Sequence, residues 1–294
     1  MIIERRKDIY GALPIVTQRF DNVTEWYRYA EQGEGIMARQ FRYGGGTNFL
    51  GHTSETQAVA FCEQNIGERH MRAARELVDS IDASYRDRDK EHWQPSPFGA
   101  YPVVPDYLAG DPFSMRIKHR DEDNTAPIRY YIEAVVSGGT STYELERRAA
   151  GLAALIMRTV EERPVELYAL IALHNQRGGG SAGYIGVVPI TTHPIDLHST
   201  IAAFATREFC RCMAFTNAEQ ATGVDSNNCD WLFGHPEGAY NRNLRERHFR
   251  KALNMEPQDV LMQGGYLTDA EEFGSDPVKW VHKQIEKQRS LDDE

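Results

Sequence analysis

Between Tyr240 and Lys251 the chain gathers Arg242, Arg245, Arg247, Arg250 and Lys251 around a single carboxylate, Glu246. Guanidinium and ammonium groups at this density can neutralise neighbouring phosphates and release the counterions condensed on a nucleic acid. The whole chain has a formal net charge of -10, so the run is a local exception on an acidic molecule. A solvated helix accounts for the same residues; the two readings differ in whether a polyanion meets the charges.

Two further segments combine cations with aromatic rings, which offer stacking surfaces to unpaired bases whatever their sequence. In one, Arg39, Phe41, Arg42 and Tyr43 lead into Gly44, Gly45 and Gly46, followed by Asn48, Phe49 and His52. In the other, Arg177 and Tyr184 bracket a loop containing Gly178, Gly179, Gly180 and Gly183. A hairpin-like turn and an ordinary flexible loop are the plain alternatives. Taken with the basic run, they predict single-stranded-nucleic-acid binding by Arg242, Arg245, Arg247, Arg250 and Lys251, with Arg42, Tyr43, Phe49, Arg177 and Tyr184 as loop contributors.

Reaction chemistry is less legible. Ser137, Gly138, Gly139, Thr140 and Ser141 form a turn whose amides could cradle phosphate, but neither a Walker lysine nor a full dinucleotide glycine fingerprint accompanies it. His193, His198, Cys210, Cys212, Cys229, His235 and His248 contain no closely spaced Cys or His pair of the kind tetrahedral zinc requires. No local nucleophile signature occurs, and the carboxylates are too scattered to select an acid and a base. The expectation is a protein that is not an enzyme and holds neither metal nor cofactor. Two alternatives stand beside it: a protein-interaction module, and a hydrolase with a dispersed carboxylate site including Asp106 and Asp111.

The elements that must position these residues follow from hydrophobic pattern. The first hundred residues read as helical, broken by the glycines at 44–46. Ser54 and Gln57 have helix-start spacing, while Met71, Ala74, Val78, Ile81 and Tyr85 recur at helical intervals. Pro95, Pro97, Pro102, Pro105 and Pro112 remove backbone donors and predict an irregular linker. From Ile128 the residues Tyr130, Ile132, Ala134 and Val136 alternate as in a strand. Ser141 and Glu144 then make a capping box ahead of Leu145, Ala149, Leu152, Leu155, Ile156 and Val160, a helical face that Pro164 stops. Val165 to Leu173 reads as a buried strand, Tyr184 to Ile190 as another, and Asp196 caps a helix containing Ile201, Phe204, Phe209 and Met213. Strand, helix and strand in succession predict a right-handed parallel crossover.

The fold class predicted is mixed α/β, with a helical N-terminal part packed on a central sheet. Its predicted organisation is a mainly helical region at 1–94, a Pro-rich linker at 95–127 and an α/β region at 128–294 ending in a C-terminal helix and acidic tail. Asp276 and Pro277 would open that last helix, docked by Val278, Val281 and Ile285.

The 294-residue length and 41% apolar composition suit a soluble protein with a substantial core. Four cysteines, Cys62, Cys210, Cys212 and Cys229, are too few for a disulfide framework, predicting a reducing, cytoplasmic setting. Neither a signal peptide nor a membrane helix is expected. After the basic run, Glu256, Asp259, Asp269, Glu271, Glu272 and Asp276 follow with no Lys or Arg between them, and the chain ends Ser290, Leu291, Asp292, Asp293, Glu294. Such an acidic end can pair with the basic surface or bind a partner protein; a solubilising terminus is the alternative.

The order of elements around Ser137, Gly139 and Ser141 loosely resembles a von Willebrand A-type domain, whose Asp-x-Ser-x-Ser metal site is incomplete here. That resemblance implies, as the second reading, a metal-less module docking partners at the Ser137–Ser141 edge. A separate resemblance rests on Val104, Pro105, Asp106, Tyr107, Leu108, Ala109, Gly110, Asp111, Pro112 and Met115, on Ser137, Gly138 and Gly139, on Arg148, Ala149 and Ala150, and on Pro164, Val165, Glu166 and Leu167. These segments resemble a group of tailed-phage proteins of unassigned role. In size and acidity the chain is also similar to the single-stranded-DNA-binding cofactor of phages that carry a virion RNA polymerase. That likeness implies a host-cytoplasmic protein bringing a phage RNA polymerase to its promoters, with the acidic C-terminus as a partner contact.

Overall fold

Alternation at Tyr130 and Ile132, the Ser141 cap and the apolar run after Pro164 produce a strand, a helix and a strand. The computed structural model describes residues 1–7, 14–33, 54–64, 72, 75, 76, 79, 93–96, 101–102, 108–109, 112–118, 127–134, 141–162, 164–175, 182–190, 196–223, 231–233, 249–262, 279, 280 and 283. In chain order these give β1 (Ile2–Lys7), β2 (Pro14–Arg19), α1 (Val23–Gln32), α2 (Glu55–Gln64), β3 (Trp93–Ser96), β4 (Tyr101–Pro102), β5 (Met115–Lys118) and β6 (Ile128–Glu133). Then come α3 (Thr142–Glu162), β7 (Val165–Asn175), β8 (Ala182–Ile190), α4 (Leu197–Ala205), a π-helical segment (Glu208–Met213), α5 (Ala214–Thr222), β9 (Trp231–Phe233) and β10 (Val260–Met262).

The fold is mixed α/β. Among the described residues seven strands form one sheet in the order β1-β2-β8-β7-β6-β10, with β9 also pairing β7. β6 and β7 are parallel, Ile128 opposite Val165, and α3 connects them, as the sequence predicts. β10 continues the parallel set beyond β6. β8 runs antiparallel to β7, and β2 parallel to β8.

Period-two alternation divides the side chains between two faces. On the first face Val16, Tyr130, Ile132, Leu167, Ala169, Ile171, Leu173, Tyr184 and Val188 share a core with α1 to α5. Trp26 meets Phe20 edge-on at 5.1 Å and lies 5.5 Å from Phe209. Two buried hydroxyls are satisfied internally: Tyr184 donates to Gln18 Oε1 at 2.7 Å, and Tyr130 is 3.0 Å from Thr159 Oγ1. Gly186 makes room for the Tyr184 ring, since a Cβ there would lie 3.0 Å from the phenolic oxygen. On the second face Ile15, Tyr131, Leu170, Ala172, Ile185 and Val187 form a smaller cluster with Phe249 and Leu253.

Helix starts follow the side chains expected to satisfy orphan amides. Ser141 Oγ accepts from Glu144 N at 3.2 Å while Glu144 Oε2 accepts from Ser141 N at 2.6 Å, closing the capping box reciprocally. Asp196 Oδ1 accepts from Ser199 N at 3.1 Å, and Ser54 Oγ from Gln57 N at 3.3 Å.

Several expectations require correction. The N-terminal region contributes strands as well as helices: β1 and β2 belong to the central sheet, with Ile15 opposite Gly183 in β8. The Pro-rich stretch is not wholly irregular: β3, β5 and β4 form a second sheet in that order. Pro95 and Pro102 sit in its two flanking strands, where a missing donor can face away from the ladder. The helix expected through Ile201 and Met213 is interrupted at Thr206, which is extended (φ -104°, ψ 140°). Its hydroxyl accepts from Phe209 N at 3.3 Å, so Thr206 caps a fresh start. Most of the helix expected around Met71–Tyr85 and most of the C-terminal helix lie outside the described residues, although Trp280 is buried in the first core.

Candidate nucleic-acid interface

The end of the basic run lies on the second face of the sheet. Residues 249–253 form a helical turn, with Phe249 and Leu253 buried against Ile15, Tyr131, Leu170 and Ile185. Asn254, at φ 52°, ends it in a left-handed conformation that asparagine tolerates better than most residues, and Met255 N donates back to Arg250 O at 2.9 Å. Because the apolar pair anchors the turn, Lys251 between them is turned outward and exposed.

Cations surround this turn, but in different roles. Arg19, the last residue of β2, donates to Leu253 O at 3.0 Å. Arg129 on β6 pairs through Nε with Asp259 Oδ1 at 2.9 Å; the Asp259 carboxylate is wholly buried and the Arg129 side chain 29% exposed. Partial desolvation lowers the Arg129 pKa, and the neighbouring charges of Asp259, Tyr131 and Glu166 outweigh it, leaving the group firmly cationic. Arg250 is half-buried and donates to Glu256 O at 3.3 Å and Asp259 O at 3.2 Å. The acidic stretch after the run thus begins by folding back on it: Asp259 also accepts from Glu256 N at 2.8 Å.

Beside the clamp, Tyr131 and Tyr168 stack at 4.8 Å with planes 11° apart. That separation is the spacing of neighbouring strands, so the rings stand side by side across β6 and β7 as a cross-strand pair. Burial raises both phenol pKa values, and for Tyr168 the hydrogen bond its hydroxyl donates to Glu166 Oε2 at 2.9 Å adds to the rise. The pair buttresses the turn more than it offers an open ring face.

Of the residues predicted to contact nucleic acid, Arg250, Lys251 and Tyr184 are described. Arg242, Arg245, Arg247, Arg42, Tyr43, Phe49 and Arg177 lie outside the described residues. Lys251 is exposed. Arg250 is an anchor of the turn, held by carbonyls in the loop that follows. Tyr184 is a correction: it is fully buried on the first face and bonded to Gln18, so its ring cannot reach a base. Its place beside a Gly-rich loop suggested exposure, whereas its period-two register with Val188 in β8 assigns it to the core.

Arg19, Arg129, Tyr131, Tyr168 and Asp259 escaped the sequence reading. They come from three strands and a loop, and no short motif joins them; only the alternation in β2 and β6 could have put Arg19 and Arg129 on one face.

For the other chemistries considered, Asp106, Asp111 and residues 137–140 lie outside the described residues. Ser141 Oγ is engaged with Glu144 Oε2 at 2.7 Å in the helix cap. Cys62, Cys210 and Cys212 are buried thiols, and burial pushes Cys62 and Cys212 above the ordinary thiol range. Of the cysteines and histidines tested as metal ligands, His193, Cys229, His235 and His248 lie outside the described residues. Among the described residues no helix is long and apolar enough to cross a membrane.

No curated protein and no solved structure matches this chain. A family model does match, over residues 5–268, an extent reaching from β1 through both sheets and the clamped turn to just past β10. The chain therefore belongs to the family described as Domain of unknown function (DUF7192).

Proposed function

We propose that this chain is a non-enzymatic, single-stranded-DNA-binding protein that holds phosphate through the basic run ending at Lys251. The observation carrying this reading is that the end of the run is built onto the sheet, with Phe249 and Leu253 buried and Lys251 left exposed. A merely solvated helix has no need of Arg19 and Arg129 bonded around its end. A cation on a preorganised support loses less freedom when it meets a phosphate. Arg242, Arg245, Arg247 and Lys251 are the phosphate contacts in this reading, and Arg250 supports them. With Tyr184 in the core, base stacking is assigned to Tyr43 and Phe49, and Arg42 and Arg177 add backbone contacts.

The resemblance to tailed-phage proteins extends the reading to a transcription cofactor in the host cytoplasm. There the chain would deliver a phage RNA polymerase to exposed single strands, and the acidic residues at 290–294 would contact the polymerase.

The test is fluorescence anisotropy with a labelled single-stranded oligonucleotide, its duplex and its RNA counterpart. Preferential binding of the DNA single strand is expected, and absence of binding to all three at low salt would reject the reading.

A further inference from the structure

Three guanidinium groups, from elements far apart in the chain, converge on residues 249–259. Arg19 reaches Leu253 O, Arg250 reaches the carbonyls of Glu256 and Asp259, and Arg129 holds the buried Asp259 carboxylate, whose other oxygen takes the amide of Glu256. Carbonyls at the end of a helical turn lack intrahelical donors and carry partial negative charge, so cations there both satisfy and fix them. A carboxylate next to a phosphate-binding surface is unfavourable on charge alone. Its burial and full engagement point to a mechanical task.

Resting on the nucleic-acid reading above, we infer that Arg129 and Asp259, assisted by Arg19, are positioning residues: they latch the 249–259 turn to the second face and so fix where Lys251 meets a strand. The latch spans β2, β6 and the loop ahead of β10. Breaking it leaves Lys251 in the chain but removes the support that places it.

The sign of one substitution separates this from simple electrostatics. Asp259→Asn removes a negative charge, so on charge alone it would tighten DNA binding; a latch predicts weakening, by roughly three- to thirty-fold for a coupled buried pair. Arg129→Gln should weaken binding to a similar degree, the double variant should be no worse than the weaker single variant, and Arg129→Lys should recover part of the loss. Limited trypsin digestion of the folded full chain provides a readout independent of DNA: cleavage after Arg250 or Lys251 should accelerate in both single variants. Arg19→Met, which leaves no buried charge uncompensated, gives the same readout if Arg129→Gln fails to fold. Tighter binding by Asp259→Asn, or unchanged cleavage in the folded variants, overturns the latch. If the native chain binds no DNA, the functional reading falls and cleavage alone decides the latch, acceleration sustaining it and no change overturning it.

Discussion

On its first face the sheet meets α1 to α5 and the π-helical segment through large buried side chains such as Trp26, Tyr130, Phe204 and Phe209, while on its second the cover among the described residues includes the short turn at 249–253. The first face is held by apolar area and shape. The second is held by two apolar anchors and a set of directional bonds from Arg19, Arg129 and Arg250. Apolar burial is strong but indifferent to orientation, whereas hydrogen bonds and ion pairs specify position more than they stabilise. The difference teaches how one sheet serves two ends: one side keeps the fold, the other sets a surface cation in place.

The comparison can be tested by removing one residue at a time. Trp26→Ala should be the most damaging, lowering unfolding free energy by about 3–5 kcal/mol in urea titration, because a large ring is lost from a close-packed interior. Leu253→Ala should cost about 2 kcal/mol, the low end for such truncations, because the thin cover can settle into the gap. It should nevertheless weaken single-stranded DNA binding more than Trp26→Ala does in the folded population. Equal stability losses would break the contrast between the faces.

Ser141→Ala should cost about 1 kcal/mol, the usual worth of a cap. It carries a pH signature as well. The backbone amide and hydroxyl of Ser141 hold the Glu144 carboxyl below its ordinary range. A carboxyl lowered on folding contributes stability that is present above its unfolded pKa and lost as pH falls through its folded one. The gap between Ser141→Ala and the native chain should therefore narrow on acidification in thermal melts. Lys251→Ala should be the mildest, leaving stability within about 0.5 kcal/mol because the side chain is exposed. On single-stranded DNA it should flatten the salt dependence by about 0.7 logarithmic units per decade of salt, the contribution of one phosphate contact.

How much of this was legible in the sequence depended on whether local signals agreed. For β6, α3 and β7 the alternation, the Ser141 and Glu144 box and Pro164 pointed the same way, and the crossover formed as expected. For β2 they did not: Gln18 is wholly buried because it accepts the Tyr184 hydroxyl, so a polar residue occupies a core position and hides the strand pattern. Prolines concealed β3 and β4 because their tolerance depends on being flanking strands, which only the sheet order reveals. In the candidate site the charge of Arg250 and Lys251 was plain, but their division into anchor and exposed cation depends on carbonyls six and nine residues farther along the chain. Arg19 and Arg129 carried no signal beyond register, since their convergence is created by strands meeting through β7 and β8.

The most direct test of the central claim is the salt dependence of single-stranded DNA binding by the native chain and by an Arg242→Ala, Arg245→Ala, Arg247→Ala and Lys251→Ala variant. The account predicts tight binding at low salt, a steep loss of affinity as salt rises, and a slope in the variant shallower by about 0.7 units for each lost phosphate contact. Equal slopes and equal affinities for the two proteins would contradict it.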